Sequence, residues 1–177
     1  MRRIIFVLGL MAFVAAFATT ALGAVRVKTL PMATFSGDEV TLTGGNFSGL
    51  GNVPAIAEFQ VTAGLATYTC TNPQGKASPG QNPVAAQPGS VSVADLGNAD
   101  HNGRGTIESL SASVEAPTGV TAADAGCGGG GAAEQGKWTV TLDSLTATAA
   151  HLVITQDDVI VFCRDYTING PATGTPC

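Results

Sequence analysis

The sequence predicts an all-β protein. Only 12% of the 177 residues are charged, whereas solvated helices are rich in Glu, Lys, Arg and Gln. Short segments alternate apolar and polar residues, as half-buried strands do. Segments rich in Gly, Pro and Asn separate them and are typical of turns between strands. We find no amphipathic helical pattern longer than one turn.

The first predicted strands end at residues that break strands. Val25–Leu30 stops at Pro31, and Glu39–Thr43 stops at a Gly-Gly-Asn sequence. Residues 55–70 form either two strands with a short turn between them or one long strand bent at Gly64. An isolated glycine within a strand pattern marks such a bend.

Two long loops interrupt the predicted strands. Residues 71–90 contain four prolines and three glycines, which exclude a helix or a central strand. Residues 117–136 contain the glycine-rich run Gly126–Gly131. A loop as long as 71–90 in a small domain is usually functional or tied down, and Cys70 at its start favours tying. The glycines after Cys127 are interpreted as a flexible surface loop.

The second half of the chain continues the β pattern. Asn102-Gly103 predicts a tight turn between two strands, and Gln156–Asp158 predicts a hairpin turn between the last two. The predicted strands of this half cover residues 91–95, 105–114, 137–142, 144–149, 152–155 and 159–163. About eight short strands with long Gly/Pro-rich loops predict a single immunoglobulin-like β-sandwich over residues 24–177, with a barrel as the second choice.

The N-terminal segment 1–23 predicts a signal peptide. Arg2 and Arg3 precede an apolar run over Ile4–Phe17, and small residues follow up to the expected cleavage point after Gly23. The apolar run is too short for a membrane span. We therefore expect a secreted, extracellular protein that does not span a membrane.

The charge of the chain excludes some partners. The sequence has thirteen acidic and eight basic residues, and two of the basic residues would leave with the signal peptide. An acidic protein without a basic patch is not expected to bind nucleic acid or to dock on anionic lipid.

The four cysteines predict two disulfide bonds. Cys70, Cys127, Cys163 and Cys177 form an even set in a chain expected to be exported. Four cysteines allow three pairings. We prefer Cys163–Cys177, because it ties the otherwise loose C-terminal tail to a strand, which leaves Cys70–Cys127 to close the longer loop. A zinc site is disfavoured, because no Cys-x-x-Cys spacing is present and the histidines are not paired with the cysteines.

A candidate calcium site lies near the Asn-Gly turn. Asn98, Asp100 and Asn102 place oxygen ligands at every second position before Gly103, as at the start of an EF-hand loop. The twelfth position is Ser109, where that loop has a bidentate glutamate. The competing interpretation is a simple Asn-Gly hairpin turn, and no other cofactor is expected.

Catalytic groups are scarce in the sequence. No Gly-x-Ser-x-Gly sequence is present, oxidised cysteines are not nucleophiles, and the carboxylates are scattered. His101 and His151 are interpreted as surface or rim residues. Trp138, the single tryptophan, is interpreted as a core anchor rather than a sugar-stacking platform.

Most of the chain after the predicted signal peptide resembles a group of small exported bacterial proteins, chiefly from actinobacteria. The resemblance is carried by Ser48–Asn52, by the strand ending in Ala66–Cys70, and by Thr71-Asn72-Pro73 with the later Pro79–Pro83. Gly126-Cys127 before a strand with Trp138 also matches. The resemblance implies a Cys70–Cys127 bond, with Cys163 and Cys177 forming their own bond. The group has no established activity, so the resemblance implies no catalytic residues.

These observations predict a non-catalytic protein, structural or adhesive at the cell surface or in the extracellular matrix. Self-association could proceed by strand addition through the N-terminal segment Ala24–Leu30. The alternative is a calcium- or polysaccharide-binding module. A secreted hydrolase is the third candidate.

Overall fold

The computed structural model describes residues 25–50, 54–96, 103–128 and 136–177. These parts contain fourteen β-strands and no helix, which confirms the all-β prediction. The predicted signal peptide, His101 and the calcium candidates Asn98, Asp100 and Asn102 lie outside the described residues. The strands are β1 (Arg26–Thr29), β2 (Met32–Ser36), β3 (Glu39–Thr43), β4 (Asn46–Ser48), β5 (Ala55–Thr71), β6 (Ala77–Pro79), β7 (Val84–Ala85), β8 (Gln87–Pro88), β9 (Val91–Asp95), β10 (Arg104–Thr106), β11 (Ser109–Glu115), β12 (Thr139–Gln156), β13 (Val159–Thr167) and β14 (Thr175–Pro176).

The described strands form three antiparallel sheets. The first has the order β1-β4-β10, and the second has the order β2-β3-β11-β8. The third has the order β14-β13-β12-β5-β6, with β7 and β9 also paired to β5. The segment Arg26–Thr29, predicted to add to another molecule, pairs here with β4 of the same chain.

Two long strands organise the molecule. β5 has 17 residues and β12 has 18, and they pair from Ala55–Gln156 at one end to Thr71–Thr139 at the other. We call this pair the ribbon. Its proximal half comprises residues 55–63 and 149–156, and its distal half comprises residues 64–71 and 139–147.

The prediction of three separate strands over residues 137–155 is wrong, because β12 is continuous. Its register shifts between Leu142 and Ser144 and again around Ala149, and a bulge of this kind adds a residue without ending the strand. In β5, Thr62 and Ala63 are both exposed, whereas Val61 and Gly64 are both buried. The same side of the ribbon therefore stays buried along its whole length.

Other strand boundaries also differ from prediction. β6, β7 and β8 lie within the predicted loop 71–90, because parts of that segment pair with the edges of β5 and β11. Pro79 and Pro88 are the last residues of their short strands, at edge positions that proline tolerates. The predicted strand 105–114 is divided into β10 and β11. The hairpin turn predicted before β13 is present: Asp157 and Asp158 have positive φ values of 48° and 60°, as two-residue hairpins favour.

The main core lies between the second sheet and the proximal half of the ribbon. Val40 and Leu42 on β3 and Phe59 and Leu152 on the ribbon are fully buried there. The ring of Phe59 meets that of Tyr166 edge-to-face, with centroids 6.3 Å apart. This two-layer packing buries one face of each sheet, as a sandwich requires.

A second, smaller core lies under the distal half of the ribbon. It contains the buried Ala66, Tyr68 and Cys70 of β5, covered by Ala122 and Ala125 of the second long loop and by Cys127. The Cys70–Cys127 disulfide fixes that loop to the ribbon. Trp138 is half-buried and packs against this cluster. Its ring therefore lies on the side of the ribbon that the second long loop covers, and not on the outer side.

Candidate functional site

The outer face of the distal half carries a regular array of hydroxyl groups. Directly opposed residues on antiparallel strands point to the same face, and every second residue of β5 in this half is buried against the small core. The intervening side chains therefore face outwards. Their opposed pairs are Thr71 with Thr139, Thr69 with Thr141, and Thr67 with Ser144. We call these six residues the threonine face.

Strand geometry sets the spacing of the threonine face. Opposed Cβ atoms lie about 4.5–5.5 Å apart, and alternate residues along a strand lie about 6.6–6.8 Å apart. The Oγ1 atom of Thr67 and the Oγ atom of Ser144 are 2.7 Å apart and share a hydrogen bond. Because threonine is β-branched, its χ1 angle is stiff in a strand, so the array is ordered before any contact is made.

Apart from Asp143, the strand residues beside the threonine face are uncharged. On one side Ala77 and Pro79 of β6 lie opposite Thr71 and Thr69. At the centre of the ribbon Leu65 lies between Thr146 of β12 and Ala85 of β7. Asp143, in the bulge of β12, is the charged residue that interrupts this surface. The result is an extended patch of methyl and hydroxyl groups on the outer side of the ribbon.

The sequence interpretation missed the threonine face, although a signal was present. Thr67–Thr71 reads Thr-Tyr-Thr-Cys-Thr, and Thr139–Thr141 reads Thr-Val-Thr. Period-two threonines predict a strand with one hydroxyl-bearing side. That two such runs lie opposite one another depends on the register of β5 with β12, which local patterns do not encode.

A second polar cluster lies at the β12–β13 pair, in the proximal half. His151 and Asp165 are directly opposed in the register, and the Nδ1 atom of His151 lies 2.6 Å from Oδ1 of Asp165. The same Nδ1 atom lies 3.9 Å from Sγ of Cys177, which is bonded to Cys163. The structure thus contains both disulfides in the preferred pairing, Cys70–Cys127 and Cys163–Cys177.

This cluster lacks the geometry of a nucleophilic triad. In a triad the base uses one ring nitrogen for the nucleophile and the other for the orienting carboxylate. Here the carboxylate and the sulfur both approach Nδ1 of His151, and the sulfur belongs to a disulfide. Histidine, carboxylate and, once a disulfide is reduced, thiolate are instead groups that can bind a metal ion.

A small cleft lies among the strands of the first sheet. It has a volume of about 240 Å³, below the range of about 300–1,000 Å³ typical of ligand pockets. Lys28, Asn46, Arg104 and Thr106 line it, and the hydroxyl of Thr106 donates to Oδ1 of Asn46 over 3.1 Å. The cleft is therefore polar and suits a small hydrated group rather than a cofactor.

Comparison with protein-family models, with curated protein sequences and with solved structures finds no match to this chain. Within the described ranges, no helix is long and apolar enough to cross a bilayer. The threonine face and the His151 cluster are the two surfaces whose residues and geometry bear on function.

Proposed function

We propose that this protein is an exported, non-catalytic adhesive protein that binds insoluble, uncharged polysaccharide through the threonine face. The carrying observation is the array of opposed threonine pairs on the outer side of the ribbon. Two disulfides suit the oxidising surroundings of an exported protein. The immunoglobulin-like topology, the single domain over residues 24–177 and the signal peptide remain predictions that accompany this proposal.

The shape of the face favours an extended ligand over a small one. Small-molecule sites are concave and bury most of their ligand, whereas the threonine face is the exposed side of a sheet. Each hydroxyl both donates and accepts hydrogen bonds, so the face can match sugar hydroxyls in either orientation. The small core and the Cys70–Cys127 bond support the ribbon from behind, which keeps the array in place.

The chemistry of the threonine face indicates that binding energy would come from many hydroxyl groups rather than from one strong contact. The aromatic side chains of this half, Tyr68 and Trp138, pack on the opposite side, so sugar stacking does not contribute. A hydrogen bond exchanged with water yields only about 0.5–1.5 kcal/mol. Affinity therefore depends on several hydroxyls acting together on a surface, and soluble oligosaccharides are expected to bind weakly.

The test is sedimentation of the oxidised protein, residues 24–177, with microcrystalline cellulose and with chitin particles. The variant Thr69→Val/Thr141→Val removes the hydroxyls of the central pair and keeps the β-branched shape. Two lost hydrogen bonds predict a fall in affinity of about 5- to 150-fold. The matched control is Thr34→Val, which changes an exposed threonine on β2 in the second sheet. This variant should bind as the parent protein does.

Two results would contradict this proposal. One is that neither particle depletes the parent protein from solution. The other is that the double valine variant binds as tightly as the Thr34→Val control. In both cases the threonine face would be an ordinary solvated surface.

A second candidate function is that of a structural subunit that self-associates. Exposed apolar residues beside the proximal half of the ribbon favour it. Val93 on β9 is 63% exposed, and Ile160 on β13 is 61% exposed. Both strands lie towards the margins of the sheet, where additional strands can pair. Light scattering of the parent protein and of Val93→Lys measures this directly, since a subunit of this kind would form oligomers that the lysine disrupts.

A further inference from the structure

Four side chains of types that can bind metals lie together on the outer face of β12 and β13. Donor atoms of His151, Asp165 and Cys177 all lie within 4.8 Å of one another. Cys163 lies two residues before Asp165 on β13, on the same side of the strand, and is bonded to Cys177. The set is far from the threonine face along the ribbon, and its chemistry is independent of the proposed adhesion.

The oxidised form does not offer a complete metal site. In the disulfide, the sulfur atoms of Cys163 and Cys177 are not thiolates, and the thiolate is the metal ligand. Only the imidazole of His151 and the carboxylate of Asp165 then remain as strong donors. Zn²⁺ in structural sites is almost always held by four ligands in a tetrahedron.

We propose that reduction of the Cys163–Cys177 bond creates a zinc site formed by both thiolates, His151 and Asp165. A dithiol reductant supplies two electrons and two protons, so the disulfide becomes two thiols and the reductant becomes a disulfide. Zn²⁺ then displaces one proton from each thiol and forms two Zn–S bonds. The neutral imidazole and the carboxylate complete a tetrahedral set, and all of its ligand types bind Zn²⁺ in proteins.

The observed separations suit this geometry. Metal–ligand distances of about 2.0–2.3 Å place tetrahedral ligand atoms about 3.3–3.8 Å apart. The distance from Nδ1 of His151 to Oδ1 of Asp165 is 2.6 Å, and that to Sγ of Cys177 is 3.9 Å. Side-chain shifts of about 1 Å therefore suffice to enclose an ion.

The backbone holds the four residues together without the disulfide. The registers His151–Asp165 and Val153–Cys163 fix three of them on adjacent strands. β14 pairs with β13 through Thr175 and Pro176, directly before Cys177. The guanidinium of Arg164 also donates to the carbonyl oxygen of Gly174 over 2.9 Å, which keeps the tail beside the strand.

The second disulfide provides an internal control. Cys70 and Cys127 are each only 1% exposed, whereas Cys177 is exposed and Cys163 is half-buried. A mild dithiol therefore reaches the Cys163–Cys177 bond first. In the described part of the chain, the His151 cluster is the group whose donor atoms are close enough to hold an ion.

The experiment uses residues 24–177 with the exposed bond reduced and the buried bond intact, as verified by alkylation and mass spectrometry. Co²⁺ is added under argon, and Zn²⁺ is then added as a competitor. We expect thiolate-to-cobalt charge-transfer absorption at one equivalent, which Zn²⁺ abolishes. The oxidised protein should show no such band.

Variants identify the ligands. His151→Ala and Asp165→Ala should each weaken Co²⁺ binding at least about tenfold, and Cys163→Ser/Cys177→Ser should abolish the charge-transfer band. Thr155→Ala, on the same face of β12, is the matched control and should bind as the parent does. Circular dichroism and thermal melting confirm that each variant is folded. If the double variant is not, Cys163→Ser alone replaces it and should weaken the band without abolishing it, since the Cys177 thiolate remains.

Three results would overturn the proposal. The first is a reduced parent protein without the charge-transfer band. The second is equal Co²⁺ affinity in the oxidised and reduced forms, since binding would then be independent of the thiolates. The third is a folded His151→Ala or Asp165→Ala variant that binds as tightly as Thr155→Ala.

Discussion

Two buried tyrosines differ in whether their hydroxyl group has a hydrogen-bond partner. Tyr166 donates to the carbonyl oxygen of Pro31 over 3.4 Å, whereas the buried hydroxyl of Tyr68 has no partner among the described residues. An unsatisfied buried polar group costs about 1–3 kcal/mol. We therefore expect Tyr68→Phe to leave the unfolding free energy unchanged or raise it by about 1 kcal/mol.

The matched change, Tyr166→Phe, leaves the Pro31 carbonyl without its partner and should lower stability by about 0.5–1.5 kcal/mol. Urea unfolding of both variants measures the difference. A Tyr68→Phe variant less stable than Tyr166→Phe would contradict this assignment of the two hydroxyls.

Tyr166 also predicts a loss of stability at alkaline pH. Burial raises the pKa of this phenol to about 12, and the nearby Arg164 opposes the shift. Since the folded-state pKa lies above the unfolded value of about 10, the folded protein holds this proton more tightly. Its contribution to stability is complete below about pH 10 and is lost as the pH rises towards 12. Thermal melting across this window should show a smaller decline for Tyr166→Phe than for the parent.

At the scale of elements, Gly64 explains how one strand can serve two cores. A Cβ atom at this position would lie 2.9 Å from the carbonyl oxygen of Thr146 and 2.9 Å from Cγ1 of Val114. The glycine thus permits β11 to approach the ribbon at its centre. The sequence marked this position as a bend but left one strand and two strands as equal alternatives, because a bulge and a turn leave the same local pattern.

Substitution of Gly64 should destabilise the fold through overpacking. We expect Gly64→Ala to lower the unfolding free energy by about 1–3 kcal/mol. Ala63→Ser, at the exposed neighbouring position, should change it by less than about 0.5 kcal/mol. Equal midpoints of the two variants in chemical denaturation would show that the contact at Gly64 is not tight.

Local patterns predicted most strands but not their pairing. Thr67–Thr71 and Thr139–Thr141 were both recognisable as strands, yet their opposition arises from a register that spans the whole ribbon. His151 and Cys177 were likewise interpreted as unrelated, because β12, β13 and the tail bring them together only in three dimensions. Both candidate sites are therefore products of tertiary structure.

At the scale of the whole molecule, the two disulfides are expected to contribute unequally to stability. Cys70 and Cys127 are 57 residues apart in sequence, whereas Cys163 and Cys177 are 14 apart. On the chain-entropy model, the longer loop corresponds to about 4 kcal/mol and the shorter one to about 3 kcal/mol. Cys70→Ala/Cys127→Ala should therefore melt at a lower temperature than Cys163→Ala/Cys177→Ala, and the reverse order in calorimetry would contradict this account.

The most direct measurement of the central claim is a set of binding isotherms on microcrystalline cellulose and chitin as hydroxyls are removed in steps. The series proceeds from Thr69→Val to the central double variant and then adds Thr71→Val and Thr139→Val. If the threonine face is the contact surface, affinity falls at each step while Thr34→Val stays at the parent value. Isotherms that coincide across the series, or a parent protein that binds neither surface, would contradict the claim.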